Sequence, residues 1–295
     1  MRILLTGGQG QVGWELRRTL AVLGEVIAPG RDALDLASAD SIVTAVRDAR
    51  PGLIVNAAAY TAVDQAESDS DLAMQVNGHA PGILAEEAHK AGAMLVHYST
   101  DYVFDGSKAA PYVEADPVAP LSSYGRSKLA GEQAIIASGT AHLILRTSWV
   151  YAPRGRNFLL TVRRLGRERK ELKIVDDQIG APTPARMIAE ATAHAVSGMV
   201  AGGRPGNRNP AEAGGIFHLS AAGRTSWYEF AAEILRDVEG AATVRPIPTS
   251  EYPTPARRPK NSLLDNTRFQ QQFGLALPDW RVGLRLCLEE LREQG

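Results

Sequence analysis

Short apolar runs alternate along the first half of the chain with longer stretches whose apolar residues recur at helical spacing. Arg2–Thr6 (RILLT), 25–28, Leu53–Asn56, 94–99 and 142–146 read as strands buried on both faces. After the first run, Val12, Leu16, Leu20 and Leu23 mark one side of a helix, and further helices are predicted at 38–49, 72–91 and 124–137. Strands alternating with helices imply βαβ units, a parallel sheet and right-handed crossovers. Ligands of such sheets bind beyond the carboxyl ends of the strands. Asn56 to Ala59, Ser99 to Asp101 and Arg146 to Trp149 all fall there, so one crevice is expected to gather them.

The texture changes after Trp149. Loops at 201–215 and 246–261 are longer and richer in Pro and Gly, and helices are predicted at 157–169, 184–197, 225–238 and 279–293. The run 216–219 (IFHL) has the pattern of a strand returning to the main sheet. The expected fold is α/β: a Rossmann-type doubly wound parallel sheet in 1–150, with a return strand near 216–220. A smaller, interleaved C-terminal substrate domain fills most of 151–295.

The turn after the first strand adds chemistry. Gly7-Gly8-Gln9-Gly10-Gln11-Val12-Gly13 stands between a strand and a helix, the context a dinucleotide fingerprint requires. Gly7 permits the sharp turn, Gly10 lets backbone approach a pyrophosphate, and Gly13 lets helix and strand pack closely. The helix N-terminus then offers free N–H groups and a favourable dipole to the phosphates. At the exit of the second strand stand Arg31 and Asp32. Arginine there suits the 2′-phosphate of NADP, whereas an acid would accept the ribose hydroxyl of NAD. NADPH is therefore the preferred cofactor, with NADH the alternative that an inward Asp32 would favour.

Tyr124 and Lys128 form a Y-x-x-x-K pair on a predicted helix, where i, i+4 side chains share a face. An ammonium one turn from a phenol would pull its pKa down toward working pH, making the tyrosine a proton donor to a carbonyl oxygen. Charge narrows the partners little: 32 basic against 33 acidic residues require neither nucleic acid nor an anionic membrane. A single cysteine, Cys287, excludes an internal disulfide and a cysteine-rich metal site, and the six histidines are dispersed. No apolar run has transmembrane length and the first strand lacks a signal peptide's regions, so a cytoplasmic protein is expected.

Seven segments resemble the dTDP-4-dehydrorhamnose reductases, within the extended short-chain dehydrogenase/reductases. They begin at Gly10 (GQVGWEL), Val55 (VNAAAYTAVD), His97 (HYSTDYVFDG), Tyr124 (YGRSKLAGE), Arg146 (RTSWVY), Asp177 (DQIGAPT) and Pro253 (PTPARRP). The resemblance covers essentially the whole chain; the first and fourth segments are common to extended reductases, and the last three are more particular. It implies NAD(P)H-dependent reduction of the C4 ketone of dTDP-4-dehydro-β-L-rhamnose, a nucleotide sugar. Thr100 would hydrogen-bond the keto oxygen, Tyr124 would protonate it, and Lys128 would tune Tyr124 and hold the nicotinamide ribose. Cofactor contacts would come from Gly10, Gln11, Val12, Arg31, Asp35, Leu36, Ala59, Tyr60 and Thr61, and sugar contacts from Thr100, Asp101 and Trp149. Some dimeric members bind Mg²⁺ between subunits through glutamates, for which Glu15, Glu190 and Glu290 stand at matching positions, so a homodimer with Mg²⁺ at its seam is a further expectation.

Competing readings remain open at this level. Thr100 and Asp101 could satisfy a local turn, Trp149 could be core, and exposed glutamates usually serve only as solvated faces. Arg257 and Arg258 could grip a pyrophosphate as bidentate donors or simply lie in solvent. A nucleotide-sugar 4,6-dehydratase would need an acid after Asp101, where Tyr102 stands. An epimerase would share Tyr124 and Lys128, and only net cofactor consumption separates it. A non-catalytic regulatory subunit, like that of methionine adenosyltransferase, would keep the fold to bind a partner.

Overall fold

The computed structural model describes residues 1–200 and 214–293. Five strands alternate with helices from the start of the chain: β1 (Arg2–Thr6), α1 (Gln11–Thr19), β2 (Glu25–Ile27), α2 (Ala39–Ala49), β3 (Leu53–Asn56), α3 (Ser70–Met74), α4 (Ala80–Ala91), β4 (Met94–Thr100), α5 (Ser123–Ala137) and β5 (His142–Thr147). The second half holds β6 (Val150–Tyr151), α6 (Phe158–Glu168), β7 (Glu171–Val175), β8 (Ile179–Gly180), β9 (Thr183–Pro184) and α7 (Ala185–Val200). It ends with β10 (Gly215–His218), β11 (Thr225–Ser226), α8 (Trp227–Leu235), β12 (Thr243–Ile247), α9 (Thr267–Phe273) and α10 (Trp280–Glu293).

The main sheet runs β2-β1-β3-β4-β5-β10, with every neighbouring pair parallel. Chain order reverses between β1 and β3, so the crevice of a doubly wound sheet opens there. β10 does return to the sheet, pairing with β5 from Gly215 to His218. Continuous apolar strands force cover on both faces. On one face Ile3, Leu5, Val55 and Leu145 pack with Leu16 of α1 and Ile188 of α7. On the other, Leu4, Ile54 and Ile144 pack with Ile42 of α2, Leu84 of α4 and Ile135 of α5. A separate core around Phe230, Trp280, Leu159 and Leu172 holds α6, α8, α10 and β7 together.

Several boundaries differ from expectation for identifiable reasons. The predicted helix 72–91 is interrupted by a π-turn at Gln75–His79, because Gly78 and Gly131 let α5 approach until a side chain would not fit. The helix expected from Thr225 starts at Trp227, since Ser226 caps it and forms a capping box with Glu229. β7 and β12 pair in parallel as a small second sheet, so the loop predicted at 246–261 loses its first residues to a strand. Of the loop predicted at 201–215, residues 201–213 lie outside the described residues.

Candidate active site

At the mouth between β1 and β3 the glycine turn is built as its spacing requires. Gly7 sits at φ +67, and a Cβ there would lie 2.6 Å from the Ala58 nitrogen. A Cβ on Gly13 would stand 2.0 Å from the Gly7 carbonyl, so α1 packs on the turn only without one. The Gly10 N–H bonds the Gly7 carbonyl at 2.8 Å, and Gly10 gives α1 no side-chain cap, leaving its first N–H groups to a ligand. The cleft is walled by Gly7, Gly10, Arg31, Asp35, Leu36, Ala59 and Tyr60. Of the other expected cofactor residues, Gln11, Val12 and Gly13 form the first turn of α1, and Thr61 lies exposed beyond Tyr60. Arg31 is part of that wall, and Asp32 is not. A glycine cradle, an uncapped helix start and a basic residue at the far wall suit the donor set of a phosphorylated dinucleotide.

The reacting groups converge at the ends of β4 and α5. Thr100, the last residue of β4, is buried; its hydroxyl donates to Asp101 Oδ1 at 3.1 Å and accepts from the Tyr102 N–H at 3.2 Å. Tyr124 opens α5, whose Ser122 cap accepts from the Gly125 N–H. Burial pushes the Tyr124 phenol up to about 12, the Thr100 hydroxyl opposes that rise, and the Asp101 charge adds to it. The Asp101 carboxyl is itself pushed up to about 6 by burial, and its Oδ2 has no hydrogen-bond partner. A buried, unpartnered oxygen beside a threonine and a phenol is an opening for a polar ligand group.

Lys128 is anchored to β4. Its Nζ donates to the Tyr98 carbonyl at 2.6 Å and lies 3.2 Å from His97 Nε2. Burial pulls Lys128 down to about 8, opposed by the charge of Glu132. Burial favours the neutral phenol of Tyr124.

Asn77, Glu132 and Asp64 support the site, and none of them has a role legible in the sequence alone. Asn77, inside the π-turn, accepts from the Tyr60 N–H at 2.8 Å and donates to Ser127 Oγ at 3.1 Å. It thereby locks the loop after β3 to the helix carrying Tyr124, and π-turns often mark such places. Glu132 and Arg146 form a buried bidentate pair under the same helix, with bonds of 2.9 and 2.6 Å. Asp64 grips Arg258 at 2.7 Å, which fastens the loop after β12 across the crevice mouth. Arg258 is thus committed to a carboxylate, while Arg257 lines the groove beside it.

Trp149 is half-buried at φ +48, an uncommon backbone state for a large residue, with its ring stacked on Trp227 at 3.6 Å. A Cβ on Gly180 would meet that ring at 2.4 Å, so the indole is wedged between the two.

Two of the expected Mg²⁺ ligands pair with an arginine within this chain. Arg186 Nε bonds Glu15 Oε2 at 3.2 Å and its Nη1 approaches Glu290 Oε2 at 2.8 Å. A guanidinium already balances the negative charge these two carboxylates would offer a cation. Glu190 lies in the same small cavity, but among the described residues no group of three possible ligands gathers. Among the described residues no helix is long and apolar enough to cross a membrane.

A parallel sheet with a glycine-turn cleft at its switch point, and a Tyr-x-x-x-Lys helix facing a strand-end threonine, define a short-chain dehydrogenase/reductase. The family described as RmlD substrate binding domain matches residues 1–293. The dTDP-4-dehydrorhamnose reductase of Burkholderia thailandensis is 51% identical over the full length of both chains. That of Escherichia coli K12 is 46% identical, over 99% of this chain and 98% of its own. Among solved structures, a dTDP-4-dehydrorhamnose reductase of Clostridium acetobutylicum superposes with a TM-score of 0.91 at 36% identity, covering 99% of this chain and 100% of that one. One from Bacillus anthracis, in complex with NADP, gives 0.90 at 34% identity over 98% and 99% of the two chains. The chain belongs to the dTDP-4-dehydrorhamnose reductase family.

Proposed function

We propose that this protein reduces the C4 ketone of dTDP-4-dehydro-β-L-rhamnose to dTDP-L-rhamnose, with NADPH preferred to NADH. The observation that carries the reading is the cluster of Thr100, Asp101 and Tyr124 at the carboxyl end of β4, on the sheet whose β1 ends in the glycine turn. Bound reduced nicotinamide would supply the hydride. Thr100 holds the keto oxygen, and Tyr124 gives the proton that turns the developing alkoxide into a hydroxyl. A phenol held neutral by burial retains that proton until an oxygen of higher basicity forms beside it. Asp101 Oδ2 accepts from a sugar hydroxyl, and Trp149 presents an edge of its stacked indole to the ring. Gly7, Gly10, Gln11 and Val12 cradle the dinucleotide phosphates, and Arg31 takes the 2′-phosphate. Most of 151–295 shapes the sugar side, with Asp64 and Arg258 fixing one loop in place.

The test supplies dTDP-4-dehydrorhamnose with each reduced cofactor and follows nicotinamide absorbance. Stoichiometric cofactor consumption supports the reading. Interconversion of sugars without net consumption would make the protein an epimerase instead.

A further inference from the structure

We propose that Thr6, Asn56, His97 and Lys128 form one hydrogen-bonded row whose direction follows the charge on Lys128, making His97 the positioning residue that lets this lysine alternate between ammonium and amine. The inference rests on the assignment of Lys128 to the reductase site. The row arises from register: Thr6 of β1 lies opposite Asn56 of β3, and Asn56 lies opposite His97 of β4. Lys128 closes it from α5. All four side chains are buried, at 2% exposure or less, so each donor needs a protein acceptor.

The contacts are continuous. Thr6 Oγ1 accepts from the Ala58 N–H at 3.2 Å and lies 2.6 Å from Asn56 Oδ1. Asn56 Nδ2 lies 3.0 Å from His97 Nδ1, and His97 Nε2 lies 3.2 Å from Lys128 Nζ. Burial and the Lys128 charge hold His97 well below the usual imidazole range, so it is neutral and carries one N–H. That single proton ties the two ends together.

With Lys128 as an amine, the row runs from Thr6 outward. The threonine hydroxyl donates to Asn56 Oδ1, Asn56 Nδ2 donates to His97 Nδ1, and His97 Nε2–H donates to the amine lone pair. With Lys128 as ammonium, every Nζ hydrogen is a donor, and an Nε2–H facing it would oppose donor to donor. The row then reverses: Nζ donates to Nε2, Nδ1–H donates to a turned Asn56 amide, and that amide donates to Thr6. In both directions every buried group is satisfied except the Thr6 hydrogen, which the reversal frees toward the dinucleotide cleft that Thr6 lines.

The other charges facing Lys128 do not switch it. Glu132, on its own helix, is neutralised by Arg146 of β5 and accepts from Ser99 of β4. Tyr124 lies one turn back along α5, and Asp101 lies past the end of β4. His97 is the group that meets Nζ directly. A fixed row would leave one of these two lysine states facing an unpaired buried donor.

The test needs no substrate. Isotope-labelled histidine in the intact protein reports the His97 tautomer by NMR, with the resonance identified by His97→Gln. The expected result is Nε2–H at high pH and Nδ1–H at low pH, crossing once as Lys128 titrates, without a doubly protonated imidazole between. Asn56→Asp offers His97 only acceptors, so it should fix Nδ1–H throughout and raise the Lys128 midpoint by at least about one pH unit. A single tautomer across the range in the natural protein, or an unchanged crossing in Asn56→Asp, overturns the inference. A tautomer switch in a protein that fails the reductase assay would support the row and remove the functional reading alone.

Discussion

Lys128 Nζ and the Tyr98 carbonyl oxygen lie 2.6 Å apart, a bond that anchors to β4 a side chain standing one helical turn from Tyr124. The ammonium is thereby desolvated under the sheet, and its pKa is pulled to about 8 by burial. A lysine depressed in the folded state binds its proton more weakly there than in the unfolded chain, where the value is about 10.4. Stability linked to Lys128 is therefore present above about 10.4 and lost as pH falls through 8. Denaturant titrations of the natural chain against Lys128→Met should show the difference moving toward the natural chain by about 3 kcal/mol between those limits. A difference flat with pH would show that the lysine is solvated.

Asp101 should give the opposite slope. Its folded pKa is raised to about 6 by burial, so stability is complete below the unfolded value of about 3.9 and is lost as pH rises through 6. Asp101→Asn should gain about 3 kcal/mol over the natural chain across that interval. Calorimetry of both proteins at the two ends of the window would reveal it. Equal melting differences at both ends would refute the buried carboxyl.

Arg31 stands at the far wall of the cleft and Asp32 does not. Arg31→Ala should raise KM for NADPH by roughly tenfold or more, the worth of one charge-assisted phosphate contact, while KM for NADH stays within about twofold. Equal tolerance toward both cofactors would remove the NADPH preference.

Chelation should do little. Because Arg186 supplies the positive charge between Glu15 and Glu290, EDTA should leave melting temperature and elution volume unchanged. Arg186→Glu would leave three carboxylates together, lowering stability unless Mg²⁺ is added. Chelator-sensitive assembly in the natural chain would contradict this assignment.

The local signals were the legible ones. Gly10 and Gly13 could be read from spacing because each answers to the Gly7 backbone a few residues away, Gly7 because the turn itself demands its positive φ, and β1, β3, β4 and β5 declared themselves as apolar runs. Thr100, Tyr124 and Lys128 were legible as types and places, but not as electrostatics. Whether the ammonium acts on the phenol depends on a carbonyl in a neighbouring strand, which i, i+4 spacing cannot reveal. Arg186 meets Glu15 across 171 positions and Arg258 meets Asp64 across 194, so neither pairing leaves a local trace. The π-turn at Asn77 was hidden for a similar reason: it exists because α5 approaches a glycine, while its own sequence reads as plain helix.

The central claim is that Tyr124 donates the proton at the mouth of this sheet. Single-turnover reduction of dTDP-4-dehydrorhamnose by Tyr124→Phe, alongside direct titration of NADPH, addresses it most closely. The chemical step should slow by roughly a hundredfold or more while dinucleotide affinity stays within about twofold. Near-normal turnover by the phenylalanine variant would contradict it.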